Sequence, residues 1–230
     1  MDNIFVGIPT HGEMYFGLVQ RLFDCGVKPF IMPSRLSVSD ARNRIVKEFL
    51  ATDNEFLIMI DSDTIPPKTF TDLAKHNKDI VGGAYLKYNA FMPQPHVHAY
   101  TKGEKGYFPI DTMEKGLNQV DAVGTGTICI KRGVFDKVKS PFTMGLDEDG
   151  LIIRGDDFSF CEKAIASGYK VYCDPEMLSE HVVPIPLAQL TGNMKKYMYA
   201  ATLAAAEQGY RKATINTVSH NLNKNNSFKL

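Results

Sequence analysis

Glu55-Phe56-Leu57-Ile58-Met59-Ile60-Asp61-Ser62-Asp63 is the stretch on which the reading of this chain turns. Phe56 to Ile60 is a short, continuous apolar run, as in a strand buried on both faces of a sheet. It ends on two carboxylates one residue apart. Alternate residues of a strand share a face, so Asp61 and Asp63 can reach the same small volume beyond its end. Open α/β sheets bind ligands at the carboxyl ends of their strands. Two hard oxygen donors there suit a divalent cation and a phosphate-bearing ligand. The competing reading is a solvated acidic turn after a core strand.

Upstream, Asn3 to Ile8 reads as a first buried strand stopped by Pro9. The loop Pro9-Thr10-His11-Gly12 follows, then an apolar-periodic segment from Met14 to Cys25 that closes at Gly26 as a helix. Thr10 and His11 are placed to touch a base or ribose; a plain connection fits equally, since no glycine-rich fingerprint is present. Phe30 to Met32 predicts a second strand. Ser39 or Asp40 then caps a helix over Ala41 to Ala51, with Ile45, Val46, Phe49 and Leu50 inward. Asp40, Arg42, Asn43 and Arg44 crowd its first turn. Arginine is unfavourable at the positive end of a helix dipole unless an anion compensates. A diphosphate or an aspartate partner would do so; the alternative is a solvated turn.

Downstream, Ile65-Pro66-Pro67 breaks the strand and leads into a helix over Lys68 to His76. Asp79 to Tyr85 predicts another strand. Residues 87–118, rich in Pro, Gly, Tyr and His, read as loops or a hairpin that shapes a pocket. His96 and His98 alternate without a partner at metal-ligand spacing and read as ordinary polar residues. A strand approaches through Val120, bends at Gly124-Thr125-Gly126 and resumes over Ile128 to Ile130; such glycines mark a bulge or a ligand against the backbone. A short helix spans Arg132 to Val138. Asp156 and Asp157 open a helix over Phe158 to Ser167, ended by Gly168. Helix capping accounts for one of these acids more readily than for both. The strand Tyr169 to Cys173 and then His181 follow. Past Val183, residues 184–230 read as an extension with an alanine-rich helix over Asn193 to Lys212 and a polar tail. That helix is expected to pack on its own domain or to join a second copy.

The chain has 230 residues, enough for one domain with an appendage and a sizeable core. With 26 basic and 26 acidic residues it carries no electrostatic footprint for non-specific nucleic-acid binding. No run approaches the roughly 18 apolar residues of a membrane span, and the first residues lack a signal-peptide pattern, so a cytoplasmic protein is expected. Cys25, Cys129, Cys161 and Cys173 show no CxxC spacing and read as buried free thiols.

Taken in order, Ile8-Pro-Thr10, Asp40-Ala-Arg-Asn43, Asp61-Ser-Asp63, Gly124-Thr-Gly126, Gly155-Asp-Asp-Phe-Ser-Phe-Cys161, Gly168-Tyr-Lys-Val-Tyr172 and His181 give residues 3–183 a likeness to a known family. The chain resembles glycosyltransferases of the GT-A fold, nearest in pattern to the family 2 type. Short single-domain versions with the same helix start resemble enzymes encoded by bacteriophages, which would place the protein in the host cytoplasm. The resemblance implies an α/β fold: a Rossmann-like, mostly parallel sheet flanked by helices over residues 1–183, with a C-terminal helical extension. It implies transfer of a sugar from a nucleotide-sugar donor, a uridine one by expectation, to a hydroxyl acceptor. That acceptor is a glycan, a lipid carrier, a protein or a modified DNA base. It implies Mn²⁺ or Mg²⁺ as cofactor, held by Asp63 with Asp61 and His181, with Asp61 alternatively on the ribose. Pro9, Thr10, Asp40, Arg42 and Asn43 would lie by the nucleobase and ribose, Ser62 on the donor, and Gly124, Thr125 and Gly126 along the sugar. The family places a base at the second residue of an acidic pair, usually Glu-Asp. Asp157 is therefore the candidate, with Asp156 open as the alternative or as an acceptor ligand. The competing functions are a nucleotidyltransferase, for which residues 9–13 lack the usual glycine-rich basic loop, and a non-catalytic carbohydrate-binding protein of the same fold.

Overall fold

The computed structural model of the protein describes residues 3–87, 96–104, 106–110 and 112–184. The helix and tail expected beyond residue 184 lie outside the described residues. The chain clusters into two units, Met1–Val183 and Pro184–Leu230. The first holds every strand and helix described below.

Its elements in order are β1 (Ile4–Thr10), α1 (Phe16–Asp24), β2 (Phe30–Pro33), α2 (Val38–Leu50), β3 (Phe56–Ile60) and β4 (Thr64–Ile65). A 3₁₀ helix (Phe70–His76) leads to β5 (Ile80–Lys87), β6 (His96–Val97), β7 (Ala99–Gly103), β8 (Gly106–Pro109), β9 (Asn118–Val120) and β10 (Ala122–Val123). Last come β11 (Thr127–Lys131), α3 (Val134–Lys137), β12 (Gly145–Leu146), β13 (Ile152–Arg154), α4 (Asp156–Ala166) and β14 (Val171–His181).

The main sheet has the order β2-β1-β3-β11-β5-β14-β4. β2, β1 and β3 are parallel, and so are β5 and β14. β11 runs antiparallel between β3 and β5, so those two point the same way. The result is the mostly parallel, Rossmann-like sheet of a GT-A fold. Every residue of β3 is buried. Leu57 and Met59 face a core built with α2 and α4. Phe56, Ile58 and Ile60 face a second core built with α1 and the 3₁₀ helix. Alternate residues thus serve opposite faces, which is why the run is apolar throughout.

Local chemistry moves several boundaries from their expected places. β1 continues through Pro9 because it pairs with β3 only as far as Gly7; beyond that point it keeps β2 alone, and a missing N–H breaks no second ladder. The cap of α2 is Ser37, whose Oγ accepts the Asp40 N–H at 3.1 Å. The helix therefore starts before Ser39 and Asp40, the residues expected to cap it. The segment before His76 forms a 3₁₀ rather than an α-helix and ends at Asn77, with φ at 50°. Within the stretch 87–118, expected to form loops or a hairpin, β7 pairs antiparallel with β8. β14 is longer than expected: past an irregularity between Asp174 and Ser179 it resumes pairing and carries on to His181. Cys129, Cys161 and Cys173 are buried free thiols, and Cys25 is partly exposed.

Candidate active site

Because β1, β3 and β5 are co-directional, Thr10, Asp61 to Asp63 and Lys87 gather at one edge of the sheet. The reversed β11 begins at that edge, so Gly124 to Gly126 arrive there too. The second turn of α2 delivers Arg42, and the first turn of α4 delivers Asp156 and Asp157. The long β14 brings His181 beside Thr64 of β4.

Arg42 is the hub. It is 5% exposed. Its Nη1 donates to both oxygens of Asp156 at 2.8 Å, and Nη2 donates to Asp61 Oδ1 at 2.8 Å. Burial works against its charge, yet the two carboxylates hold its pKa above the usual arginine value. Of the expected compensating anions, the structure supplies aspartates, and two of them. Arg44, by contrast, is exposed and pairs with Asp40 one turn away. Asp61 is fixed on its other oxygen by Thr125 Oγ1 at 3.2 Å, and its N–H donates to Gly126 O at 3.1 Å.

Asp63 faces solvent more openly. Its Oδ2 lies 3.5 Å from His181 Nε2. The imidazole holds the Asp63 carboxyl below its ordinary range, and the carboxylate raises the His181 pKa in return. The Val182 N–H donates to Asp63 O at 2.8 Å, which ties the end of β14 to the Asp-Ser-Asp turn. A carboxylate oxygen and an imidazole nitrogen this close suit a divalent cation that takes further ligands from phosphate and water. Asp61, on the same turn, is engaged by Arg42 and Thr125. Among the described residues no three His, Cys, Asp or Glu side chains gather as a metal cluster.

Asp157 differs from its neighbour in kind. Both oxygens of Asp156 are taken by Arg42, and the residue is 4% exposed. Asp157 Oδ1 accepts the N–H of Phe158, at 2.9 Å. Burial, the largest influence, raises its pKa. Its Oδ2 stands 3.4 Å from Nε2 of His98. His98, expected to be an ordinary polar residue, is instead buried within the site, and its Nδ1 meets Tyr85 Oη. Sequence reasoning gives neither His98 nor Tyr85 a role. The available signal is the alternation of histidine with small and aromatic residues through Tyr100, which marks a strand but not what it faces.

The remaining expected donor residues have varied surroundings. Thr10 Oγ1 accepts the Gly12 N–H at 3.0 Å and donates to Glu13 O, so it shapes the loop after Pro9. That loop borders a cavity of 630 Å³ lined by His11, Glu13, Met14, Tyr15, Phe16 and Ser62. Asp40 accepts from Ser34 Oγ and Arg44. The Asn43 amide exchanges two hydrogen bonds with the Phe142 backbone, 2.7 and 3.1 Å. Gly124 and Gly126 press on Tyr85: a Cβ on Gly126 would stand 2.7 Å from its Cε1.

No family model and no curated protein matches the chain. Solved structures do. A197 from STIV superposes with a TM-score of 0.57 at 20% identity, covering 79% of this chain and 86% of that one. The two share a fold. GalNAc-T7, solved with UDP, GalNAc and Mn²⁺, gives a TM-score of 0.48 at 16% identity over 80% of this chain, which spans 38% of that one. The inositol-1-phosphate CTP transferase from T. maritima gives 0.40 at 14% identity over 78% of this chain and 70% of that one.

Proposed function

We propose that the chain is a metal-dependent glycosyltransferase of the family 2 type. It takes a sugar from a nucleoside diphosphate, a uridine one by expectation, and inverts the anomeric centre as it passes the sugar to a hydroxyl acceptor. One observation carries this reading. A solvent-facing Asp63–His181 pair and a buried, proton-seeking Asp157 share one sheet edge, with the Arg42 bridge from Asp61 to Asp156 between their elements.

Asp63 and His181 would hold Mn²⁺ or Mg²⁺, and the cation would supply the positive charge that a leaving diphosphate needs. The cavity between the β1 loop and Ser62 would take the base and ribose. Asp157 takes the proton of the acceptor hydroxyl as that oxygen bonds to the anomeric carbon and the sugar–phosphate bond breaks. The proton ends on Asp157 and the electron pair on the diphosphate. Asp156 is unsuited to that step, because Arg42 occupies both its oxygens. Asp61 and Arg42 set the spacing between the two sides, and Asn43 braces the segment at Phe142.

Calorimetric titration with UDP tests the cation side. Binding is expected to require Mn²⁺, and Asp63→Ala is expected to weaken metal-dependent binding by at least about tenfold. UDP affinity that is equal with and without metal, and unchanged in Asp63→Ala, would overturn the assignment.

A further inference from the structure

His98 sits between β6 and β7 with its backbone held on both sides. Its N–H donates to Tyr85 O at 3.0 Å, and the Gly124 N–H donates to its carbonyl at 3.1 Å. The ring packs edge-on to Tyr85 and Tyr100, with centroids at 5.0 and 5.1 Å, and against Phe158, the residue after Asp157. Tyr85 Oη is hydrogen-bonded to His98 Nδ1. In the tautomer whose Nδ1 accepts, the phenol O–H is the donor. That tautomer carries the imidazole proton on Nε2, the nitrogen facing Asp157 Oδ2 at 3.4 Å.

Gly124 gives an independent sign that this pair is built into the fold. A Cβ there would overlap Tyr85 Oη and stand 2.6 Å from His98 Nδ1. The glycines of Gly124-Thr125-Gly126 are thus required by the Tyr85–His98 pair, whatever else lies along that strand.

We infer that His98, oriented by Tyr85, is a positioning residue for Asp157: its Nε2, 3.4 Å from Asp157 Oδ2 and outside hydrogen-bond geometry for that contact in this structure, is the donor that would meet that oxygen and fix how the carboxylate faces the acceptor hydroxyl. This rests on Asp157 being the base. A buried carboxylate resists ionisation, and a donor aimed at one oxygen favours the ionised form that a base must have. The other groups facing Asp157 are Asp156 and Cys161 on α4, Arg42 on α2, Lys87 and Tyr85 on β5, and Tyr100 on β7.

The test reads Asp157 directly, by carboxyl ¹³C NMR titration of the full chain, with the signal assigned through Asp157→Asn. Donor turnover is followed in parallel. His98→Ala is expected to raise the Asp157 midpoint by about one pH unit. Turnover falls about tenfold in kcat with donor KM unchanged. His98→Gln, whose amide can donate, recovers part of both. Tyr85→Phe, which removes one oxygen, shifts the midpoint the same way by less, and it carries the test should His98→Ala fail to fold. Gly124→Ala behaves like Tyr85→Phe or worse. An Asp157 midpoint unmoved in folded His98→Ala, or in folded Tyr85→Phe where that variant carries the test, would overturn the inference. A shifted midpoint in a protein that turns over no nucleotide sugar would uphold the positioning and sink the glycosyltransferase reading instead.

Discussion

Arg42→Ala is expected to lower the unfolding free energy by about 3–5 kcal/mol. For a domain of this size that corresponds to a fall of roughly 6–20 °C in Tm. The side chains of Arg42, Asp61 and Asp156 are 6%, 22% and 5% exposed, so water screens the group poorly. With one cation between two carboxylates, the group carries a net charge of −1. Removing the guanidinium leaves both anions facing each other with their desolvation uncompensated, and also removes the packing of its stem. Arg42→Lys is expected to recover only part of the loss, because an ammonium cannot reproduce the fork that meets both acids. Urea unfolding followed by circular dichroism measures the difference. A loss below about 1 kcal/mol would mean the three groups behave as a solvated surface cluster.

Asp157→Asn is expected to abolish most transfer while strengthening the fold. Loss of the base should lower kcat about a thousandfold, whereas the amide keeps the shape of the carboxylate. The stability effect has a definite sign. The folded-state pKa of Asp157 lies above its unfolded value of 3.8. Below that value the residue is protonated in both states, and ionisation costs the fold nothing. As pH rises through the folded pKa, the unfolded chain ionises more readily and the wild type loses stability. The asparagine variant escapes that loss. Its Tm should exceed that of the wild type at pH 7, with the gap shrinking on acidification toward pH 3.8. A gap that widened on acidification would contradict the burial of this carboxylate as the dominant influence on it.

The fold is legible in the sequence wherever local chemistry decides. The five-residue apolar run of β3 marks its place in the sheet centre, because being buried on both faces leaves no polar position. Gly26 and Gly168, with φ at 63° and 91°, end α1 and α4 as expected. The failures are equally physical. Pro9 stops a strand only where the missing N–H belongs to a ladder, which depends on a register the chain does not display locally. Ser37, Ser39 and Asp40 are all competent caps, and the extended backbone at Ser37 selects one of them. Arg42 advertises that it needs an anion. That the anions are Asp61 and Asp156, 19 and 114 residues away, follows only from the topology. His98 lacks metal-ligand spacing, the local signal that marks a functional histidine. Its importance lies in Tyr85 and Asp157, partners 13 and 59 residues distant on other elements. Local pattern thus locates the edge where chemistry can occur, and long-range packing decides which groups face one another across it.

The most direct test is turnover of a panel of nucleotide sugars by the full chain with and without Mn²⁺, with nucleoside diphosphate release as the readout and Asp63→Ala beside it. Metal-dependent release from one donor is the expected result, lost in the folded Asp63→Ala protein and nearly lost in Asp157→Asn. The glycosyltransferase reading would be contradicted if no donor were turned over under any metal condition while a nucleoside triphosphate and a sugar phosphate released pyrophosphate.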